Sequence, residues 1–376
     1  MIYLDNAATT YPKPEILYEK LDYAYRSLSF NAGRGHYQKA QDAYEAIEKT
    51  RKFLIQKANG KSLVFTPSAT YALNQIIQGI NFEENDIVYC SPYEHNSVAR
   101  TLNAVRKSKH IELKLIPLNK DLSIDLSSFR FECITNKPKV IFCSHVSNVT
   151  GYILPIHEIG QIAKENGSIF VVDGAQAFGV VPVNMEEDNI DYYVFAGHKT
   201  LYGPLGIGGY LFCTNELNLS VFGGTGTDSL NLDMPKEGNV RFEPSSPNAV
   251  AAYGLYHSSK WVFENDVLSH ERFLADYLVH KLKNIPEIIL YSNLMGNRTG
   301  IISFNIKGMK SDDVASILDE DFKIEVRAGY HCAPFIHDYI KSKPYLGTVR
   351  ISFSYFTTIE DVNTLVNALE EIVLEV

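Results

Sequence analysis

Ser168-Ile169-Phe170-Val171-Val172-Asp173-Gly174-Ala175-Gln176 and, further along, Tyr192-Tyr193-Val194-Phe195-Ala196-Gly197-His198-Lys199 decide how this chain reads. Each opens as a short, nearly unbroken apolar run, the pattern of a strand covered on both faces. One run ends in a carboxylate, and the other in a lysine that precedes the glycine-rich Gly203-Pro204-Leu205-Gly206-Ile207-Gly208-Gly209. Taken singly, Lys199 reads equally well as a surface lysine and Asp173 as a helix N-cap. A lysine becomes a nucleophile once it is desolvated or set near other charge. Strand ends are also where open α/β sheets gather their ligands. A strand-terminal lysine with a strand-terminal acid is what pyridoxal phosphate (PLP) needs, one for its aldehyde and one for its pyridinium nitrogen.

The same alternation extends outward from these runs. Strands are expected at 63–65, 86–90, 111–117, 140–144, 168–172, 192–196 and 208–213. Helices are expected at 70–80, 96–107 and 156–165, the last closed by Asn166-Gly167. This implies an α/β fold: a large unit built on a mainly parallel, seven-stranded sheet with helices on both faces. Polar clusters follow the strands one after another: Thr66-Pro67-Ser68-Ala69-Thr70, Glu94-His95-Asn96, Ser147-Asn148, Asp173 with Gln176, and His198-Lys199. One such cluster is unremarkable, but four or five in succession describe a pocket. Thr66 to Thr70 opens a helix, so its amides and dipole suit a phosphate, although taken alone the residue types favour an ordinary N-cap. After residue 255 the pattern changes to a long amphipathic helix over 255–282. Strands at 300–306, 324–327 and 348–353 follow, with helices at 311–318 and 358–375. The organisation expected is a large domain over 15–255 and a smaller α/β domain made of 1–14 with 256–376.

The 376 residues carry a formal net charge of −9, which disfavours nucleic acid and anionic membrane surfaces as partners. No run of apolar residues is long enough to span a bilayer. Met1-Ile2-Tyr3-Leu4-Asp5-Asn6 lacks the basic start of a signal peptide, so a cytoplasmic location is expected. The five cysteines are sparse and unclustered, with no zinc spacing, so no metal is expected. Cys90, Cys143 and Cys213 sit in apolar runs as core residues. Cys332 differs, because Arg327-Ala328-Gly329-Tyr330-His331-Cys332-Ala333-Pro334 is a polar loop whose arginine and histidine would stabilise a thiolate as cations.

From end to end these motifs resemble the class V aminotransferase branch of fold-type-I PLP enzymes, and within it the cysteine desulfurase/selenocysteine lyase family. The likeness rests on Tyr3-Leu4-Asp5-Asn6-Ala7-Ala8-Thr9-Thr10, the 31–36 segment NAGRGH, Glu94-His95-Asn96-Ser97, Ser147-Asn148-Val149-Thr150-Gly151, Val172 to Gln176 and Gly197-His198-Lys199. It continues through Arg241-Phe242-Glu243, Arg327 to Cys332 and Val349-Arg350-Ile351-Ser352. The resemblance implies that Lys199 forms the Schiff base and moves protons, that His95 stacks on the pyridine ring, and that Asp173 pairs with the ring nitrogen. It also puts Gln176 and Asn148 near the phenolic oxygen. Ala69, Thr70, His198 and Ser246 of a neighbouring subunit would hold the phosphate, so a homodimer is expected. Arg350, Asn148 and Ala7 would meet the substrate carboxylate, while Cys332 would take sulfur from L-cysteine as a persulfide. An acceptor protein or thiol would then remove it. His331 and His95 both stay open as proton carriers.

Two positions depart from the family pattern. Ala196 stands where relatives carry a hydroxyl toward the phosphate, a loss of about 1.5–3 kcal/mol of cofactor binding unless Thr200 supplies the donor. Tyr71 stands where many relatives have glutamate. Other readings of the same residues are a class V aminotransferase or β-lyase, which has no need of Cys332, and a non-catalytic scaffold, which has no need of Lys199 and Asp173 together.

Overall fold

The apolar runs become strands because both of their faces find cover. In the computed structural model, residues 1–33, 35–214, 217–226, 229–291 and 297–374 are described. Arg34 of the 31–36 motif and Glu375, expected at the end of the last helix, lie outside them. The strands, in chain order, are β1 (Ile2–Tyr3), β2 (Ser62–Thr66), β3 (Ile87–Cys90), β4 (Glu112–Leu115), β5 (Val140–Ser144) and β6 (Ile169–Asp173). They continue as β7 (Tyr192–Ala196), β8 (Gly208–Phe212), β9 (Ile288–Leu290), β10 (Ile301–Ile306), β11 (Ile324–Glu325) and β12 (Val349–Ser352).

Seven of them form one sheet in the order β2-β8-β7-β6-β5-β3-β4. All run parallel except β8, which is antiparallel to both β2 and β7. Successive side chains alternate between two cores. Ile141, Phe170, Val172, Tyr193 and Phe195 enter one, while Phe142, Val171, Tyr192 and Val194 enter the other. This two-sided burial is why the runs carry no polar alternation. It also aligns the carboxyl ends of β2, β3, β5, β6 and β7 on a single edge.

Helices Ala69–Gly79 and Asn96–Lys109 start at that edge, with Ser68 accepting from the Tyr71 amide at 3.2 Å and His95 Nδ1 from the Ser97 amide at 3.1 Å. Gly167, at φ +68°, closes helix Ile156–Asn166 in the left-handed conformation that glycine adopts without strain. Helix Leu126–Asn136, capped by Asp125, was not apparent from the sequence, because its apolar residues form no clear stripe.

A separate core gathers Leu4 from the start of the chain with Leu274, Leu278, Ile302, Phe304, Val349, Ile351 and Leu365 from its end. There β12-β10-β9 form an antiparallel sheet, and β1 pairs in parallel with β11. The single helix expected over 255–282 is instead two, Ala249–Glu264 and Val267–Leu282. Asn265 is extended between them at φ −121° and ψ 143°, and the Asp266 carboxylate caps the second helix by accepting from the Ser269 amide at 3.3 Å. Both helices are amphipathic, so the apolar pattern runs through the break. The first packs on helices Glu15–Ser27 and Gln38–Ala58 of the large sheet, and the second on the Leu4 core.

Candidate active site

A cavity of about 220 Å³ opens at the aligned strand ends. Its floor is made by Ser144, Asp173 and Ala196, the last residues of β5, β6 and β7. One wall is the start of helix Ala69–Gly79. Across from it stand Arg327, His331 and Arg350, and Ala7 with Ala8 reaches in from the start of the chain. Of the residues singled out above, Ala7, Ala69, Thr70, His95, Asn148, Asp173, Gln176, His198, Lys199 and Arg350 all line this one space. Ser246 does not. It lines a second cavity of about 270 Å³ with Pro67, Tyr71, Gly206 and Glu243. Cys332 sits on the turn adjoining the first cavity, half-buried.

Burial sets the charge states. It lowers the Lys199 amine to about 8, against the attraction of Asp173, while Arg350 and Arg327 push the same way as burial. Burial raises the Asp173 carboxyl, opposed by the Ala175 amide, which donates to it at 3.0 Å, and by Lys199. His95 falls to about 4 through burial and the nearby Lys199 and arginines, so its ring is neutral near pH 7. Its Nδ1 accepts from the Ser97 amide, which leaves the proton on Nε2. His198 also falls to about 4, through burial, Lys199 and Lys13.

The class-V aminotransferase profile matches residues 2–365. A probable cysteine desulfurase of Halalkalibacterium halodurans is 34% identical, over 99% of this chain and 93% of that protein. The apo structure of a cysteine desulfurase from Thermococcus onnurineus superposes with a TM-score of 0.91 at 31% identity, covering 100% of this chain and 95% of that one. The Escherichia coli cysteine desulfurase CsdA superposes with a TM-score of 0.87 at 27% identity, covering 99% and 94%. The chain belongs to the class-V aminotransferase family.

That family is PLP-dependent, and the residues here fit the cofactor. The amides of Ala69 and Thr70 are the first two of their helix and have no carbonyl in that helix to bond. They open on the cavity where a phosphate would gain from the helix dipole. A Cβ at Gly208, the first residue of β8, would stand 2.8 Å from the Phe195 carbonyl oxygen and 3.0 Å from the Ala69 nitrogen. Glycine there lets the helix start come close to the sheet. His198 Nδ1 is buried at the cavity wall with no hydrogen-bond partner among the described residues. Asp173 and Lys199 supply the acid and the amine.

Several class-V positions are already engaged within the chain. Gln176 Nε2 donates to the Ala7 carbonyl at 2.7 Å, and Asn148 Nδ2 to the His331 carbonyl at 2.6 Å. Arg350 spends Nη2 on Asp5 at 2.6 Å and Nη1 on the Asn148 carbonyl at 3.0 Å, leaving Nε buried without a partner among the described residues. Two expectations need correction. Thr200 is no substitute donor for Ala196, because its hydroxyl donates to the Phe178 carbonyl at 2.7 Å and it does not line the cavity. His331 is no cation beside Cys332. Burial and nearby arginines hold it well below the usual histidine range, and its Nε2 bonds Thr348 at 2.9 Å. The cation on the sulfur is Arg327, whose Nη2 donates to Cys332 Sγ at 3.6 Å.

The sequence motif gives Asp5, Thr9 and Thr10 no place of their own, and nothing in it singles out Lys13. The His198 carbonyl, next to Lys199, accepts from the Thr10 amide, both threonine hydroxyls and Lys13 Nζ, the last at 2.7 Å. Only the quoted motif hinted at this, since a contact across nearly two hundred residues leaves no trace in local periodicity.

Ala196 lines the cavity beside the start of helix Ala69–Gly79. Ala196→Ser is expected to slow PLP release and to stabilise the PLP-loaded form by about 1 kcal/mol, seen as a higher melting temperature. The PLP-free form should barely respond in scanning fluorimetry. Equal shifts in both forms would show that the new hydroxyl does not meet the phosphate.

Proposed function

We propose that this chain is a PLP-dependent cysteine desulfurase. It would convert L-cysteine to L-alanine and leave the sulfur as a persulfide on Cys332 for an acceptor protein or thiol. The observation that carries the reading is a cysteine with an arginine on its sulfur, at the side of a cavity holding Lys199 over Asp173. When bound, PLP supplies a sink for the electron pairs released at the substrate's α- and β-carbons.

The rest falls to the chain. Lys199 would bind the cofactor aldehyde, and a pKa near 8 keeps part of it neutral and able to do so. The same amine would then carry the α-proton. Asp173, as carboxylate, would keep the ring nitrogen protonated. His95, neutral, would lie on the ring and offer its Nε2 proton. Ala69, Thr70 and His198 would hold the phosphate, with Ser246 of a second copy of the chain, while Gln176 and Asn148 would face the phenolic oxygen. Arg350, Asn148 and Ala7 would seat the substrate carboxylate, the unpartnered Arg350 Nε being the donor still to be used. Cys332 thiolate would attack the substrate sulfur. The new S–S bond forms as the Cβ–S bond breaks with its electron pair left toward Cβ; a proton delivered to Cβ and the α-proton returned to Cα from Lys199 complete alanine, so atoms and electrons balance.

We further read the protein as a cytoplasmic homodimer in two units, with the break at Asn265-Asp266 better suited to the boundary than residue 255. No helix of the described residues is long and apolar enough to cross a membrane.

L-Cysteine with reductant should yield alanine and sulfide in equal amounts, whereas pyruvate and ammonia would mean a β-lyase. Cys332→Ala should keep the absorption band of bound PLP yet lose sulfide production at least a hundredfold. Mass spectrometry of wild type should find one added sulfur on the Cys332 peptide, and sulfur on Cys90 or Cys143 instead would contradict the assignment.

The rate at which PLP-free protein captures PLP should rise with pH and level off above about 8, since burial disfavours the ammonium form of Lys199. A rate still climbing toward the ordinary lysine value of 10.5 would mean that another amine reacts.

A shared site makes PLP binding and association one equilibrium, so dilution should release PLP as protomers separate. Undiminished PLP affinity in a monomer, measured by sedimentation with absorbance detection, would refute the role of Ser246.

A further inference from the structure

Cys332 stands on an uncommon turn. His331 and Cys332 are consecutive residues in the left-handed region, at φ +46° and +57°, where a side chain crowds its own backbone. Such a conformation persists only when its surroundings hold it. On one side the loop is clipped to the strand that follows it. Gly329 and Thr348 exchange amide–carbonyl bonds of 3.1 and 3.0 Å, and His331 Nε2 meets the Thr348 hydroxyl. On the other side it faces the large sheet, and two bonds cross to it there. The Asn96 amide donates to the Cys332 carbonyl at 2.6 Å, and the Asn148 carboxamide donates to the His331 carbonyl at 2.6 Å. The first comes from a helix start and is fixed by the backbone. The second comes from a side chain that also lines the cavity. His331 is 3% exposed, so its carbonyl has little access to water if that donor is lost.

We propose that Asn148 is the positioning residue for Cys332: its carboxamide, by holding the His331 carbonyl, keeps the left-handed turn that presents the thiol beside Arg327 at the cavity. This gives Asn148 a task beyond facing the cofactor and substrate. The Asn148 carbonyl also receives Arg350 Nη1 at 3.0 Å, so one residue joins the arginine that would seat the substrate carboxylate to the loop that carries the thiol. The proposal rests on the reading of Cys332 as the sulfur acceptor only for its relevance to turnover. The geometric claim stands apart from that reading and can be tested apart from it.

The test compares PLP-loaded wild type with Asn148→Leu, which keeps most of the side-chain volume without a donor, and with Asn148→His, whose ring N–H can stand where the carboxamide N–H stood. Alkylation of Cys332 by iodoacetamide is timed by mass spectrometry of its peptide, and amide hydrogen exchange is followed over 329–333. Asn148→Leu should alkylate at least tenfold faster and exchange faster over those residues, while the helix Asn96–Lys109 exchanges as before. Asn148→His should return both readings toward wild type, a rescue that packing alone would not produce. Alkylation and exchange in Asn148→Leu within twofold of wild type would overturn the proposal, as would equal loosening in Leu and His variants. Should Asn148→Leu not fold, Asn148→Ala is measured against the same His rescue. An absence of added sulfur on Cys332 in wild type, with the Asn148 effect intact, would sink the desulfurase reading and leave the positioning role standing.

Discussion

The ion pair between Asp5 and Arg350 ties the molecule together. Arg350 is 1% exposed on the middle of β12, and Asp5 approaches from the first strand of the chain. A guanidinium so buried is tolerable only with its charge met, and removing one partner of such a pair typically costs about 3–5 kcal/mol. Arg350 is met by Asp5 and by the Asn148 carbonyl at the rim of the large sheet, while its backbone pairs with that of Arg327, whose like charge opposes it. One side chain therefore fixes the start of the chain, the end of the chain and the rim of the main sheet with respect to one another. The segment that follows Asp5 continues the work, delivering Ala7 to Gln176 and the two threonines to the carbonyl beside Lys199.

The cavity this creates is unbalanced in charge. Lys199, Arg327 and Arg350 face it, while Asp173 supplies negative charge on its floor and Asp5 is already spent on Arg350. The excess of positive charge, with the helix start at Ala69, suits a phosphate and a carboxylate arriving together. It also lowers the cost of a neutral His95 and of an amine at Lys199 that gives up its proton. A neutral cavity of the same shape would bind neither anion well.

Much of this was legible in the residues themselves. The two-sided strands announced a parallel sheet, because only burial on both faces removes polar alternation. The polar clusters behind them marked the edge where the cavity lies. What stayed hidden had physical causes. The break at Asn265-Asp266 sits inside an amphipathic pattern continuous on both sides, so periodicity runs across it. The antiparallel sense of β8 cannot be inferred from its apolar run, since both faces are buried in either direction. Thr200 and His331 kept the right neighbourhood and the wrong role, because the direction of the hydroxyl is set by the Phe178 carbonyl and the charge of the ring by burial and by Arg350, none of which local periodicity shows. Thr70 and Asn148 could be placed from their motifs, whereas the bond from Asn148 to the His331 carbonyl could not.

The pairing of β1 with β11 and of Leu4 with Ser352 has a bearing on how the protein is made. Ile2, Tyr3, Leu4 and Asp5 are made long before the partners that hold them at 324–352. All seven strands of the large sheet have been made by residue 212. By then Gln176 and the His198 carbonyl, which hold Ala7 and the two threonines, are also in the chain, whereas Arg350, the partner of Asp5, is not. The site acquires its last wall only when the translated chain closes on its own beginning, so cofactor captured before that moment meets an open cleft rather than the finished pocket.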